Sequence, residues 1–200
     1  MISNMKFYPI QKYLGQLSLG ILLMIGWSIS SFATVPLEST APPPPRDAME
    51  YFFNQSFNNL PEEVEMAREE GKIGILVMFN DPDCPWCKKM KATVLNQVPV
   101  QEFFRKHFRL LHIDTKGDTM MTNFNGDEIA EKDFALKVHR VRATPVFMFF
   151  DLDGNVMLRY TGATRSIDEF MWMGEFVLNG DYKTTKFARY KQEKLGQSKQ

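Results

Sequence analysis

The stretch Asp83-Cys84-Pro85-Trp86-Cys87-Lys88 contains both cysteines of this 200-residue chain. It follows the apolar run Ile73-Gly74-Ile75-Leu76-Val77-Met78-Phe79 and precedes residues whose apolar positions recur at helical spacing. Two cysteines separated by two residues, between a strand and a helix, are typical of reversible dithiol–disulfide chemistry. The stretch therefore predicts a redox site at a strand-to-helix junction.

The two cysteines are predicted to differ in reactivity. Cys84 lies at the helix start, where unpaired N–H groups and the positive end of the helix dipole favour a thiolate. Cys87 lies one turn further along the same face and deeper in the structure. We therefore expect Cys84 to form a mixed disulfide with a partner and Cys87 to resolve it.

Charged residues near the pair act in both directions. Asp81 and Asp83 precede Cys84 and oppose its thiolate, whereas the following lysines favour it. Together with the helix dipole, the lysines predict a lowered pKa for Cys84. These lysines lie mostly off the apolar stripe of the predicted helix; they are Lys88, Lys89 and Lys91.

The residues between the cysteines are candidate substrate-binding residues. Pro85 fixes the backbone at the helix start and donates no N–H. Trp86 either shields the motif or offers a flat apolar contact to a substrate, and packing in the core is an equally good interpretation.

A zinc site is the chemical alternative for this cysteine spacing. Zinc needs four ligands, and the chain has no further cysteine. The histidines His107, His112 and His139 are scattered and share no short ligand spacing. A purely structural disulfide is also disfavoured, because closing so short a loop constrains the unfolded chain little. The sequence therefore predicts neither a metal nor a cofactor.

The N-terminus predicts an export signal. Lys6 and Lys12 form a positive region, an apolar segment extends from about Leu14 to Ile29, and Ser31-Phe32-Ala33 resembles a cleavage site. We expect cleavage after Ala33 and a periplasmic mature protein. An uncleaved membrane anchor is the alternative, although the segment is short and interrupted by polar residues.

Composition predicts one globular domain with flanking segments. Hydrophobic residues make up 44% of the chain and the formal net charge is zero, which excludes bulk attraction to nucleic acid. We predict a signal peptide or uncleaved anchor (1–33), a proline-rich linker (34–50), the domain (51–181) and a basic C-terminal tail (182–200). The four consecutive prolines of the linker favour an extended spacer.

Hydrophobic periodicity predicts an α/β fold with a small mixed sheet flanked by helices on both faces. The predicted strands are Ile73–Phe79, Phe108–Asp114, Val146–Phe150 and Asn155–Thr161. A first predicted helix begins at Asn59 and ends at Gly71, and a second follows Cys84. Two further helices are predicted over Val100–His107 and Glu128–His139. A last helix is predicted after the cap Ser166. Residues Thr115–Asn125 are predicted to form a loop, and the aromatic residues after Tyr182 are predicted to pack on the domain.

A second motif, Arg142-Ala143-Thr144-Pro145, immediately precedes an apolar strand. Together with Cys84-Pro85-Trp86-Cys87, the preceding strand and the closing hairpin and helix, it resembles the thioredoxin superfamily over about Tyr51 to Gly180. The resemblance implies a thioredoxin-like fold in which Pro145 is cis and lies beside the reactive cysteine. It also implies that Thr144 offers backbone hydrogen bonds to substrate.

Within the superfamily, the chain is similar to exported thioredoxins associated with bacterial sulfur oxidation (the SoxW type). The shared features are Lys88-Lys89-Met90 after the motif, the inserted segment from Gly117 to Gly126, and Arg142-Ala143-Thr144-Pro145. This resemblance implies a reductase that takes electrons from a membrane thiol-reductant transporter. Its substrate would be a cysteine-containing exported protein, such as a sulfur carrier or an apocytochrome. A monomer is expected, because no dimerisation domain is visible.

Two positions depart from the common thioredoxin pattern. Met78 stands where many thioredoxins have a buried acid, and Asp83 stands where a tryptophan commonly precedes the first cysteine. Proton-transfer help for Cys87 must therefore come from water or another group. The rival functions are a thiol oxidase or isomerase on the same fold and a non-catalytic binding or chaperone module.

Overall fold

The computed structural model of the protein describes residues 43–197. The predicted signal peptide or anchor (1–33) and most of the predicted linker (34–50) lie outside the described residues. Within residues 43–197, no helix has both the length and the apolar character needed to cross a membrane.

A four-stranded mixed sheet with the order β2-β1-β5-β6 forms the centre of the fold. Strand β1 (Gly74–Asn80) is parallel to β2 (Phe108–Asp114) and antiparallel to β5 (Val146–Phe150), which pairs antiparallel with β6 (Val156–Thr161). All residues of β1 and β5 are buried, because helices cover both faces of these central strands. The predicted fold class and all four predicted strands are confirmed.

Helices cover the two faces of this sheet. They are α1 (Ala48–Tyr51), α2 (Leu60–Glu69), α3 (Pro85–Thr93), α4 (Val98–His107), α5 (Glu131–Asp133), a π-helical segment (Phe134–Val138), α6 (Ile167–Leu178), a 3-10 turn (Asp181–Lys183) and α7 (Phe187–Gln197). Along β1, Leu76 and Met78 face the core formed with α1, α3, α4, α6 and α7. Ile75 and Val77 face the core formed with α2 and the π-helical segment.

The helix boundaries follow from capping residues. The Asn59 side chain accepts a hydrogen bond from the N–H of Glu62 at 3.5 Å, and the Ser166 side chain accepts one from Glu169 at 3.1 Å. Helix α2 is followed by Gly71 at φ +66°, a conformation that favours glycine. Helix α4 begins two residues earlier than predicted, because proline is tolerated in a first turn, where its missing N–H has no helical partner.

The segment after β2 differs from the prediction. Residues predicted as a loop contain strand β3 (Met120–Thr122), which pairs antiparallel with β4 (Glu128–Ala130), the first three residues of the predicted helix. The helical part is correspondingly shorter and ends as a π-helical turn. A regular helix over Glu128–His139 would turn Val138 inward with Phe134 and Ala135, but Val138 is 50% exposed, since the wider π turn moves it off the 3.6-residue stripe.

The packed region extends beyond the predicted domain limits of 51 and 181. At its N-terminal side, Ala48 is buried. At its C-terminal side, α7 buries Phe187 against Phe176, with ring centroids 5.4 Å apart. The aromatic residues of the predicted tail therefore pack on the domain as expected, but they do so from a helix that was not predicted.

A buried ion pair joins α2 to β2. The Arg109 guanidinium lies 2.6 Å from Oε2 of Glu63, and the two side chains are 7% and 3% exposed. A second guanidinium nitrogen lies 3.1 Å from Oε1 of Glu70. The charges of two long polar side chains are therefore satisfied inside the apolar layer between helix and sheet.

His139 lies in an aromatic cluster with a buried ring nitrogen. Its ring centroid is 4.5 Å from that of Phe134 and 5.3 Å from that of Phe150. None of the described residues gives its Nε2 a hydrogen-bond partner. Burial, and secondarily the positive charge of Arg159, lowers the pKa of His139 from 6.5 to about 4.

We expect His139 to make the protein less stable as the pH falls from 6.5 to 4. Above this window His139 is neutral in both the folded and the unfolded states. Within it, the unfolded chain binds a proton that the folded protein does not bind. The free energy of unfolding should fall by about 2 kcal/mol, allowing for the partial exposure of the ring. Urea unfolding at the two ends of the window should show this loss relative to His139→Leu, and an unchanged difference would contradict it.

Candidate active site

Cys84 lies where the central strand β1 gives way to helix α3. A short turn after β1 ends in a hydrogen bond from the N–H of Cys84 to the carbonyl of Asp81 at 3.0 Å. Cys84 is the N-cap residue of α3, and its Sγ accepts a hydrogen bond from the N–H of Cys87 at 3.2 Å. The sulfur therefore faces the unpaired amides of the first helical turn, where negative charge is stabilised.

The two thiols differ in burial and in pKa. Cys87 is 1% exposed, and burial, together with the hydrogen bond to Cys84, raises its pKa to about 11. Cys84 is partly exposed. Burial raises its pKa, but hydrogen bonds from Cys87, from the Thr144 side chain and from the first helical amides outweigh this and lower it overall. The pair therefore combines an accessible, acidic thiol with a buried, weakly acidic one.

The segment before β5 lies against Cys84. The Cys84 thiol donates a hydrogen bond to the carbonyl of Thr144 at 3.3 Å, although the residues are 60 positions apart. The Thr144–Pro145 peptide bond is cis, and Pro145 is buried. The fold thus brings together the two motifs that the sequence analysis selected separately.

Pro85 and Trp86 both lie at the surface. The Trp86 side chain is 56% exposed, and the Lys89 ammonium lies 5.2 Å from the centre of its ring. Core packing, one of the interpretations considered for Trp86, is therefore wrong. An exposed aromatic surface next to the first cysteine is available for contact with another molecule.

Lys116 neutralises the two acids that precede Cys84. Its Nζ lies 2.9 Å from Oδ2 of Asp81 and 3.4 Å from Oδ2 of Asp83. The hydrogen bond from Lys116 is the largest cause of a lowered pKa at Asp81. The sequence gives no sign of this contact, because Lys116 comes from the loop after β2 and no local spacing links it to the motif.

Lys91 lies closer to the protein interior than the sequence suggested. Its side chain is partly buried, and its Nζ donates a hydrogen bond to Oδ1 of Asn80 at 2.9 Å. Met78, at the position where many thioredoxins have an acid, is fully buried in β1. Lys91 of α3 therefore places an ammonium group against the end of β1, where Asn80 holds it.

The described residues offer no evident metal site. In the part of the chain from 43 to 197, no three His, Cys, Asp or Glu side chains are grouped so that they could hold a metal ion. His107 ends α4, His112 lies in β2, and His139 lies in the aromatic cluster. The arrangement around the cysteines suits thiol chemistry carried out by the side chains themselves.

Comparison with protein families supports the same assignment. A family model described as a thioredoxin-like domain matches residues 60–178, which is more than half of the chain. This region includes β1, both cysteines, Thr144-Pro145 and the closing helix α6. A search of curated proteins found no match.

One solved structure shows the same fold over most of both chains. A thioredoxin-fold protein from Helicobacter pylori is 20% identical, with a TM-score of 0.54 over 74% of this chain and 89% of its own. A thioredoxin from Thermus thermophilus is 23% identical (TM-score 0.47; 60% of this chain, 84% of its own). The DsbD C-terminal domain from Neisseria meningitidis is 21% identical (TM-score 0.43; 57% and 89%). At 20% identity the match to the Helicobacter pylori protein supports the fold alone, and the TM-scores of the other two are too low to add to it.

Proposed function

This chain belongs to the thioredoxin-like domain family, and on that premise we propose that it is a thiol–disulfide oxidoreductase that reduces disulfides of partner proteins. The observation that carries the proposal is the asymmetry of the pair. Cys84 is accessible and has a lowered pKa, whereas Cys87 is buried and has a raised one. One thiol is thereby suited to attack a partner and the other to stay protected until a mixed disulfide forms.

The proposed reaction has two exchange steps. The Cys84 thiolate attacks a disulfide sulfur of the partner, so a mixed disulfide forms and the other partner sulfur leaves as a thiolate. Cys87 then loses its proton and attacks Sγ of Cys84. An intramolecular disulfide forms, and the second partner sulfur leaves. Two electrons pass from the protein to the partner, and both partner sulfurs take up protons from water.

Two surface features support recognition of a polypeptide partner. Trp86, which lies between the two cysteines in the sequence, presents an exposed ring. The backbone around Thr144 lies at hydrogen-bonding distance from that sulfur, which suits a partner chain laid alongside it in extended form. Pro85 is exposed and is a further proposed contact residue, whereas Pro145 is buried, so we propose that it positions Thr144 and does not itself contact the partner.

The proposed cellular setting follows from the N-terminal sequence and the resemblance. The protein would be exported to the periplasm, be cleaved after Ala33 and act as a monomer. A membrane thiol-reductant transporter would supply its electrons, and its substrate would be a cysteine-containing exported protein. A role like that of the SoxW-type thioredoxins of sulfur oxidation belongs to this proposal.

The redox potential of the pair tests the direction of electron flow. A strongly oxidising pair requires a highly stabilised reduced form. Here the lowered pKa of Cys84 stabilises the reduced form, whereas burial raises the pKa of Cys87 and works against that stabilisation. We expect a value closer to the about −270 mV of thioredoxin than to the about −120 mV of DsbA. Equilibration with glutathione and dithiothreitol buffers, read from trapped thiols, gives the value, and a potential near that of DsbA would favour the oxidase alternative.

A further inference from the structure

A partly buried lysine, Lys91, lies one helical turn beyond the resolving cysteine. Met78 fills the position of the common buried acid. Lys91 follows Cys87 by four residues within α3, so the two side chains lie on the same helix face, one turn apart. This placement raises the question of what the lysine does for the thiol.

Lys91 is fixed to the sheet and does not extend freely into solvent. Its Nζ is 2.9 Å from Oδ1 of Asn80, whose side chain is itself buried. The Asn80 amide donates to the carbonyl of Ile113 at 3.1 Å, and the Asn80 carbonyl accepts from the N–H of Thr115 at 2.8 Å. Hydrogen bonds to β2 and to the residue after it therefore fix Asn80, and Asn80 in turn fixes the ammonium group of Lys91.

The charges of Lys91 and Cys87 are coupled. Burial lowers the pKa of Lys91, whereas negative charge on Cys87 raises it. Attraction between opposite charges is mutual, so the Lys91 ammonium favours the Cys87 thiolate, while burial and Cys84 dominate the pKa of that thiol. Asp114 and Asp47 also face Lys91 and favour its charged form, and Lys91 in turn lowers the pKa of His112. Burial raises the pKa of Cys87, and the Lys91 ammonium group, which Asn80 holds in place, acts in the opposite direction.

We propose that Lys91 is a positioning residue for the resolving step, in which its ammonium group stabilises the Cys87 thiolate. The proposal rests on the dithiol mechanism above. In the mixed disulfide, Cys87 gives its proton to water and its thiolate attacks Sγ of Cys84. The Cys84–Cys87 bond forms while the bond from Cys84 to the partner breaks. The partner sulfur leaves with the electron pair and is protonated by water.

Stopped-flow reaction with dithiobis(nitrobenzoate) separates the two steps. The reduced protein releases one coloured thiolate when Cys84 attacks and a second when Cys87 resolves the adduct. Lys91→Met should slow the second release by about three- to tenfold. Raising the pKa of Cys87 by about one unit lowers the fraction of Cys87 present as thiolate tenfold. A thiolate of higher pKa is also a stronger nucleophile, which offsets part of this loss. The first release should stay within about twofold of the unsubstituted protein.

Matched variants separate charge from structure. Lys91→Arg keeps the positive charge and should restore the second release to within about twofold of the unsubstituted protein. Lys106→Met removes an exposed lysine of α4 and should leave both releases unchanged. The defect of Lys91→Met should also vanish above about pH 11, where lysine is neutral. Circular dichroism confirms that each variant is folded.

Three results would overturn the proposal: equal slowing of both releases, a second release slowed less than about threefold, or a defect that persists at high pH. If the unsubstituted protein gave no second release, the dithiol mechanism itself would fail, and the proposal with it. The reagent needs no physiological partner, so an error about the partner or the direction of electron flow leaves this test intact.

Discussion

Replacing Cys84 with serine is expected to reduce disulfide-exchange activity by at least about 10³-fold, because a serine hydroxyl supplies no thiolate at neutral pH. The fold should be unaffected, since Cys84 is partly exposed and serine can also cap α3. Insulin reduction in the presence of dithiothreitol measures the activity. If Cys84→Ser retained insulin reduction and partner function, the non-catalytic binding or chaperone interpretation would replace the enzyme.

The matched variant for this experiment is Cys87→Ala. It keeps the attacking thiol and removes only the resolving one, so it should lose turnover yet accumulate mixed disulfides through Cys84. Non-reducing electrophoresis, followed by identification of the trapped chains, shows the product and names the partners. Trapping that survives in a Cys84→Ser, Cys87→Ala double variant would show that another route forms the adducts and would refute the assigned roles.

The second large effect is expected at the buried ion pair between α2 and β2. Arg109→Met removes the guanidinium and leaves the Glu63 carboxylate, 3% exposed, without its partner. An unpaired buried charge is costly, so the free energy of unfolding should fall by about 3–5 kcal/mol. Urea denaturation monitored by circular dichroism measures the loss.

Two controls distinguish the buried charge from the loss of a long side chain. Arg189→Met breaks an exposed pair with Glu193, whose side chains are 78% and 58% exposed, and should cost less than about 0.5 kcal/mol. The double variant Glu63→Leu, Arg109→Met removes both buried charges and should recover most of the stability. A double variant as unstable as Arg109→Met would show that packing, not the lone carboxylate, sets the cost.

The elements that the sequence predicted well are those determined by local pattern. The apolar runs of β1 and β5 indicate central strands because few residues other than apolar ones can lie inside a sheet covered on both faces. Asn59 and Ser166 mark helix starts because their side chains satisfy N–H groups only a few residues away. The position of Cys84 at a helix start follows from the same local rules.

The parts that sequence reasoning missed depend on contacts between distant residues. Strands β3 and β4 have three residues each, too few to show a period, and they exist because they pair with each other. Helix α7 depends on packing against α6, since so short a helix is marginal alone. Lys116 reaches the acids before Cys84 from more than thirty residues away. The sequence places Lys91 one helical turn after Cys87. The hydrogen bond from Lys91 to Asn80 could not be predicted, because Asn80 lies on another element.

Helix α7 has a consequence for how the domain is delimited. The matched family region stops at residue 178, yet Lys191 of α7 lies 2.8 Å from the buried carboxylate of Glu169, and the Tyr160 hydroxyl bonds the same oxygen at 3.0 Å. A chain truncated after α6 would leave that carboxylate and the Phe176 ring without their covering helix. The folded unit of this chain therefore extends beyond the region that the family model matches, and a domain boundary placed at residue 178 would remove part of its core.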